Sequence, residues 1–326
     1  MAGQLITKLL YLADPSARVF NNQLWLYTSH DINSTSSGDN GDQYAMRDYH
    51  PFSTSSLDPY VQATDHGVGL DVADVPWASK QMWAPDAAYH NGKYLFYFPA
   101  RNHDNRFQIG VGVSDSPAGP FKANPKPIKG SFSIDPAVLV DDDSSGYMVF
   151  GGLWGGQLQA YQTNNTYDPS WEGALSPNGT GVAALGPRIA KLDNTFQEFG
   201  SSIREITILD PNTKKPLAAD DHARRFFEGA FLHKNNGTYY LSYSTGDTHF
   251  MVYAMSKNVW GPYTYAGKIL DPVQGWTTHG SIVKFKGQWY LFFADASQSG
   301  VDFLRSTKYR PIYYDSKGFL TFTKTS

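Results

Sequence analysis

Gly92-Lys93-Tyr94-Leu95-Phe96-Tyr97 reads as a turn followed by a buried strand, in which aromatic and aliphatic side chains run on almost without a polar break. The pattern recurs in Asn22-Gln23-Leu24-Trp25-Leu26-Tyr27, Gly146-Tyr147-Met148-Val149-Phe150, Gly237-Thr238-Tyr239-Tyr240-Leu241-Ser242-Tyr243 and Gly287-Gln288-Trp289-Tyr290-Leu291-Phe292-Phe293. A polar residue flanked by small residues or proline lies a little upstream of each: Asp14, Asp86, Asp135, Glu228 and His279. The repeating unit is therefore polar residue, strand, turn, aromatic strand.

A four-stranded propeller blade takes roughly 40–50 residues. Five units in 326 residues give about 65 each, which leaves room for long loops. A propeller sets the first strand of every blade around a central channel, so five equivalent polar residues would converge on its axis. The expected fold is all-β, a five-bladed β-propeller occupying residues 1–326 as a single catalytic domain. A β-sandwich or barrel whose acids cap turns is the alternative. Ser29–Gly69 and Thr163–His222 are rich in Asn, Asp, Ser, Gly and Pro and read as insertions between strands.

Composition narrows the function. Charged residues make up 17% of the chain, too few for many wet helical faces, while 21 Tyr and 20 Phe favour strands. A net charge of −3 without a basic stripe argues against a nucleic-acid partner. Mean hydropathy is −0.42, and no apolar run approaches the roughly 18 residues of a membrane helix. Met1 to Tyr11 lacks the long apolar run of a signal peptide, which favours an intracellular location, or a secreted one if a signal has been removed. The absence of cysteine removes disulfides, thiolate catalysis and Cys-based zinc sites. Sequons start at Asn33, Asn164, Asn178 and Asn236, each equally readable as a polar turn.

Three acids at equivalent positions suit hydrolysis of a glycosidic bond, which uses one protonated and one ionised carboxyl. Glu228 follows Phe226-Phe227, so apolar packing and a nearby ionised Asp135 are expected to raise it into the role of general acid. Asp14 is then the base that deprotonates water, and Asp135 tunes Glu228 and holds sugar hydroxyls. Trp83 is the first choice for an aromatic pocket wall, ahead of Trp77 and Trp154. His30, with Asp31, and His249 are candidates for the pocket mouth. Asp141-Asp142-Asp143 has the look of a metal site but reads better as a solvated hairpin turn.

Several stretches together resemble glycoside hydrolase family 43, in the family's order and across nearly the whole chain. They are Ala13-Asp14-Pro15-Ser16, Met82-Trp83-Ala84-Pro85-Asp86, Ser133-Ile134-Asp135-Pro136-Ala137-Val138, Phe226-Phe227-Glu228-Gly229 and Thr277-Thr278-His279-Gly280-Ser281-Ile282-Val283. The resemblance implies a five-bladed propeller and an inverting mechanism, with an Asp base, an Asp modulator and a Glu acid falling on Asp14, Asp135 and Glu228. Tyr44-Ala45-Met46-Arg47-Asp48-Tyr49-His50 and Tyr243-Ser244-Thr245-Gly246-Asp247-Thr248-His249 point to its single-domain β-xylosidase group. That group implies exo-acting release of D-xylose from β-1,4-xylo-oligosaccharides. The alternatives are an α-L-arabinofuranosidase or, in another class, a non-catalytic glycan-binding propeller. Arg305 resembles the family arginine that reaches the sugar's hydroxyls, and His279 the histidine beside a central, structural Ca²⁺. Gly280 departs from the pattern, standing where a second His is expected in many relatives.

Overall fold

The computed structural model describes residues 3–36, 41–276 and 279–324. Among them, five sheets of four or five strands form five blades, antiparallel except where Ile208–Leu209 joins Tyr263–Leu270 in parallel, and a two-stranded ribbon pairs Asp48–Tyr49 with Leu70–Asp71. The innermost strands are Tyr11–Phe20, Asp86–His90, Ala137–Val140, Glu228–Asn235 and Gly280–Phe285. Each touches the next in this order, and the fifth touches the first, so the strands close a ring. The polar residues lie at or just before the start of these strands, apart from Asp14, which is within the first. The propeller expected from the repeat is the fold observed.

Each inner strand turns back into its aromatic strand: Gln23–Asp31, Lys93–Asn102, Gly146–Phe150, Thr238–Ser244 and Gln288–Asp295. Four of the connections are two-residue turns, Asn21-Asn22, Asn91-Gly92, Asn236-Gly237 and Lys286-Gly287, with positive φ at both residues. That conformation matches the twist of a hairpin and selects Asn and Gly. Asp141 to Ser145 makes a longer turn in the third blade, closed by a Ser144 N–H bond to the Asp141 carbonyl. There Lys234 pairs with Asp141 and Asp142, so this acidic run is a salt-bridged hairpin turn.

The aromatic strands are buried on both faces because each sheet is packed between two neighbours. Lys93–Asn102 is buried from Tyr94 to Arg101, which is why its sequence runs without alternation. Apolar clusters fill the gaps between blades, with Tyr97, Phe150 and Tyr243 in the largest. Each such aromatic contributes roughly 1.5–3 kcal/mol by leaving water. Gln4–Leu5 pairs with Ser306–Tyr314, so the N-terminal segment completes the last blade.

Two sequence expectations need correction. Ser29–Gly69 and Thr163–His222 are not only insertions: they contain the outer strands Phe52–Thr54, Thr64–Asp65, Arg188–Lys191 and Arg204–Glu205. Outer strands of two to four residues are too short to show a pattern. Asp86, expected among the axial groups facing the pocket, is wholly buried and joins three blades. It accepts hydrogen bonds from Ser16 Oγ and both Arg18 Nε (2.8 Å) and Nη2 of the first blade, and from the Val138 N–H of the third (2.6 Å). Asp86→Asn removes the charge that balances Arg18 and turns one acceptor into a donor. We expect it to lower stability by about 3–5 kcal/mol, read as a fall in the denaturant midpoint. A midpoint unchanged from wild type would contradict this bridging role.

Candidate active site

A cavity of about 880 Å³ opens at the axial end of the inner strands, and Asp14, Asp135, Glu228 and His279 line it together. A local backbone device aims the acids. Asp14 has φ of 50° and Asp135 of 57°, while Gly229, beside Glu228, has 67°. At Asp14 and at Gly229 the ladder register also shifts, the signature of a bulge. A bulge turns a side chain off the sheet's regular alternation, here toward the axis. Asp tolerates left-handed backbone at a cost of order 1 kcal/mol.

The acids differ in surroundings. Asp14 Oδ1 accepts Arg305 Nη1 at 2.8 Å, and its Oδ2 accepts Nη2 at 3.2 Å and the Ser29 hydroxyl. Arg305 is anchored in turn by Asp31, which takes Nε, Nη2 and the Arg305 backbone N–H, each at 2.8 Å. Burial pushes the Asp31 carboxyl up, and Arg305 opposes it. Asp135 Oδ2 accepts the Gly229 N–H at 2.9 Å and lies 3.8 Å from His279 Nδ1. Burial raises Asp135 well above the usual carboxylate range, with further rises from Glu228 and Asp14. Glu228 opens onto the cavity, yet its depth raises it to about 7, first by burial and then by the charge of Asp14.

Hydrophobic walls complete the site. Trp83 lines the cavity as expected, its indole N–H bonded to the Tyr44 carbonyl at 2.8 Å. Trp154 also lines it and stacks on Trp276, with centroids 5.8 Å apart. Trp77 does not: it is buried against Phe98 in the second blade. His30 is not among the lining residues, because its ring is turned to Asp48, with Nδ1 2.6 Å from Oδ1. His249 stands behind the wall, its Nδ1 bonded to the Trp276 carbonyl at 2.7 Å, and positions that indole from outside. Sequence reading missed Trp276 and Tyr44 as wall residues. Tyr44 lies in a stretch already singled out, and its hydroxyl is buried at the cavity without a hydrogen-bond partner among the described residues. Asp31 passed as a rim residue beside His30, since nothing local marks its bond to a residue 274 positions away.

His279 is buried at the cavity, and burial lowers its pKa, which keeps the imidazole neutral. Thr277 and Thr278 of the same motif lie outside the described residues. Gly280 is explained by space: a Cβ there would lie 2.2 Å from the Phe292 carbonyl oxygen. Gly280→His is therefore expected to lower Tm and not to add a ligand. Retention of wild-type Tm would show that the blade yields.

The model of glycosyl hydrolases family 43 matches residues 12–178 and 201–320. This chain belongs to that family. It is 60% identical over 317 residues to xylosidase/arabinosidase 43A of Humicola insolens, covering 96% of this chain and 97% of that one. It is 44% identical to a β-xylosidase of Xylanibacter ruminicola, covering 96% and 97%. Among solved structures, it superposes with a TM-score of 0.94 and 49% identity on CoXyl43, a GH43 β-xylosidase/α-arabinofuranosidase from a compost microbial metagenome. That match covers 98% of this chain and 97% of CoXyl43, which was captured with xylotriose in a calcium-free form. The chain is thus a glycoside hydrolase on a five-bladed propeller.

Proposed function

We propose that this hydrolase is an exo-acting, inverting β-xylosidase that releases D-xylose from the non-reducing ends of β-1,4-xylo-oligosaccharides. The observation that carries this reading is one cavity holding two carboxyls in opposed surroundings. Asp14 is held by Arg305 and Ser29, and Glu228 is raised to about 7. Glu228 donates its proton to the leaving glycosidic oxygen. Asp14 takes a proton from the water that attacks the anomeric carbon on the opposite face. Of the raised pair Asp135 and Glu228, the Gly229 N–H favours Asp135 as the ionised member, which leaves the proton with Glu228.

Trp83 offers a ring to the sugar's C–H face, and Trp154 with Trp276 offers a second aromatic surface. The Tyr44 hydroxyl, raised to about 12 by burial and so a donor at working pH, supplies a hydrogen bond to a sugar hydroxyl. Tyr44→Phe is expected to lower kcat/KM about 2- to 10-fold. Steady-state kinetics on xylobiose check this, and an unchanged value removes Tyr44 from sugar contact.

His279 is the residue that would hold a calcium ion. A single neutral imidazole fits only an ion whose remaining shell is water, since calcium prefers oxygen ligands. Such an ion would supply positive charge near Asp135.

α-L-Arabinofuranosidase activity is the second reading, favoured by the double naming of the relatives. Turnover of matched aryl β-D-xylopyranoside and α-L-arabinofuranoside separates the two. Proton NMR of the first-formed sugar tests inversion: α-xylose is expected, and β-xylose would overturn it. No turnover of either substrate by folded protein supplied with calcium would sink the exo-pentosidase reading.

A further inference from the structure

We propose that His30, Asp48 and His50 form a second metal site, outside the cavity, for a first-row divalent transition ion such as zinc. Among the described residues, one ligand atom from each of these three side chains lies within 4.8 Å of the others. The Asp48 carboxylate stands between two imidazoles: Oδ1 is 2.6 Å from His30 Nδ1, and Oδ2 is 3.8 Å from His50 Nε2. The rings lie 5.0 Å apart at 66°, edge to face and not stacked.

Asp65 gives the site its direction. His50 Nδ1 lies 3.0 Å from Asp65 Oδ1, which also accepts the Gly67 N–H at 2.8 Å. When Nδ1 carries the only proton of His50, its Nε2 lone pair faces the Asp48 carboxylate 3.8 Å away, and a cation bound between them takes the place of the proton that a charged imidazole would put there. A carboxylate behind a metal-binding histidine is the usual device for fixing its tautomer and orientation. All three candidate ligand residues are partly exposed, which leaves an entry path and a position for water. Two imidazoles and one carboxylate suit zinc, whose nitrogen and oxygen ligands sit at about 2.0–2.2 Å, and not calcium or magnesium, which favour oxygen.

The ion would join two segments that build the catalytic wall. His30 precedes Asp31, the anchor of Arg305. Asp48 follows Gln43, Tyr44 and Met46, all of which line the cavity.

Calorimetric titration of the full chain with zinc ion alone, after chelator treatment, tests the site. We expect one zinc per chain, retained in His279→Ala and absent in His50→Ala, with circular dichroism reporting the fold. Asp65→Asn keeps all three ligands and is expected to weaken zinc about 10–100-fold, which keeps the test open if His50→Ala misfolds. Zinc binding that disappears in His279→Ala, or that is unchanged in Asp65→Asn and His50→Ala, overturns the proposal. So does an absence of binding by wild type.

Discussion

Glu228→Gln lowers kcat on xylobiose by about 10²–10⁴, while hydrolysis of an aryl xyloside with a strongly acidic leaving phenol falls much less. An activated leaving group departs without a proton, so the gap between the two substrates measures acid catalysis and not loss of fold. The pH profile carries a second signature. In the proposed role Glu228 acts while protonated and is raised to about 7, so wild-type activity is expected to fall as pH rises through that value. In the variant this alkaline limb disappears. Stability also falls as pH rises. A carboxyl raised on folding binds more protons folded than unfolded between about 4.5 and 7, so its contribution is lost as pH rises through that window. Glutamine has no charge to bury, and the variant is expected to be more stable than wild type at pH 8. Equal losses on both substrates would assign Glu228 a structural role.

Arg305→Met is expected to cost both stability and activity. Arg305 lies buried between Asp14 and Asp31 and bonds to both carboxylates. Removing one partner of a buried ionic network leaves uncompensated charge at about 3–5 kcal/mol. With roughly 2.1 cal/mol/K of unfolding entropy per residue, that lowers Tm by roughly 4–8 °C. Activity falls further than stability explains, by about 100-fold, because Asp14 loses the guanidinium contacts that fix its carboxylate and small misplacements of a reacting group are costly. Arg305→Lys separates the effects. Its ammonium restores charge but cannot span two carboxylates as a planar fork does. We expect Tm to recover in part and kcat to stay low. Full recovery of kcat would show that charge alone suffices at this position.

The repeat was legible because a propeller writes its blades along the chain. Each inner hairpin needs a turn of positive φ, which selects Asn and Gly, and each aromatic strand is buried on both faces, which removes the alternation. The three acids were legible for the same reason: their positions are set by register within each blade, which is local. The short outer strands were not, since Arg204–Glu205 and Thr64–Asp65 carry too few residues to show a period.

The sequence alone determined the number of blades and the family, and it set Asp14, Asp135 and Glu228 at related positions in their blades, because these rest on local turn chemistry and on the order of motifs. Only the tertiary structure decided which polar residues reach the cavity. Asp86 occupies a repeat position like Asp135 but is taken up by Arg18, Ser16 and the Val138 N–H. Asp31 and Tyr44 gain their place at the site through Arg305, which enters from the last blade. The ionisation of a carboxyl depends on burial and on charges delivered by distant blades, and both are set by how the blades pack.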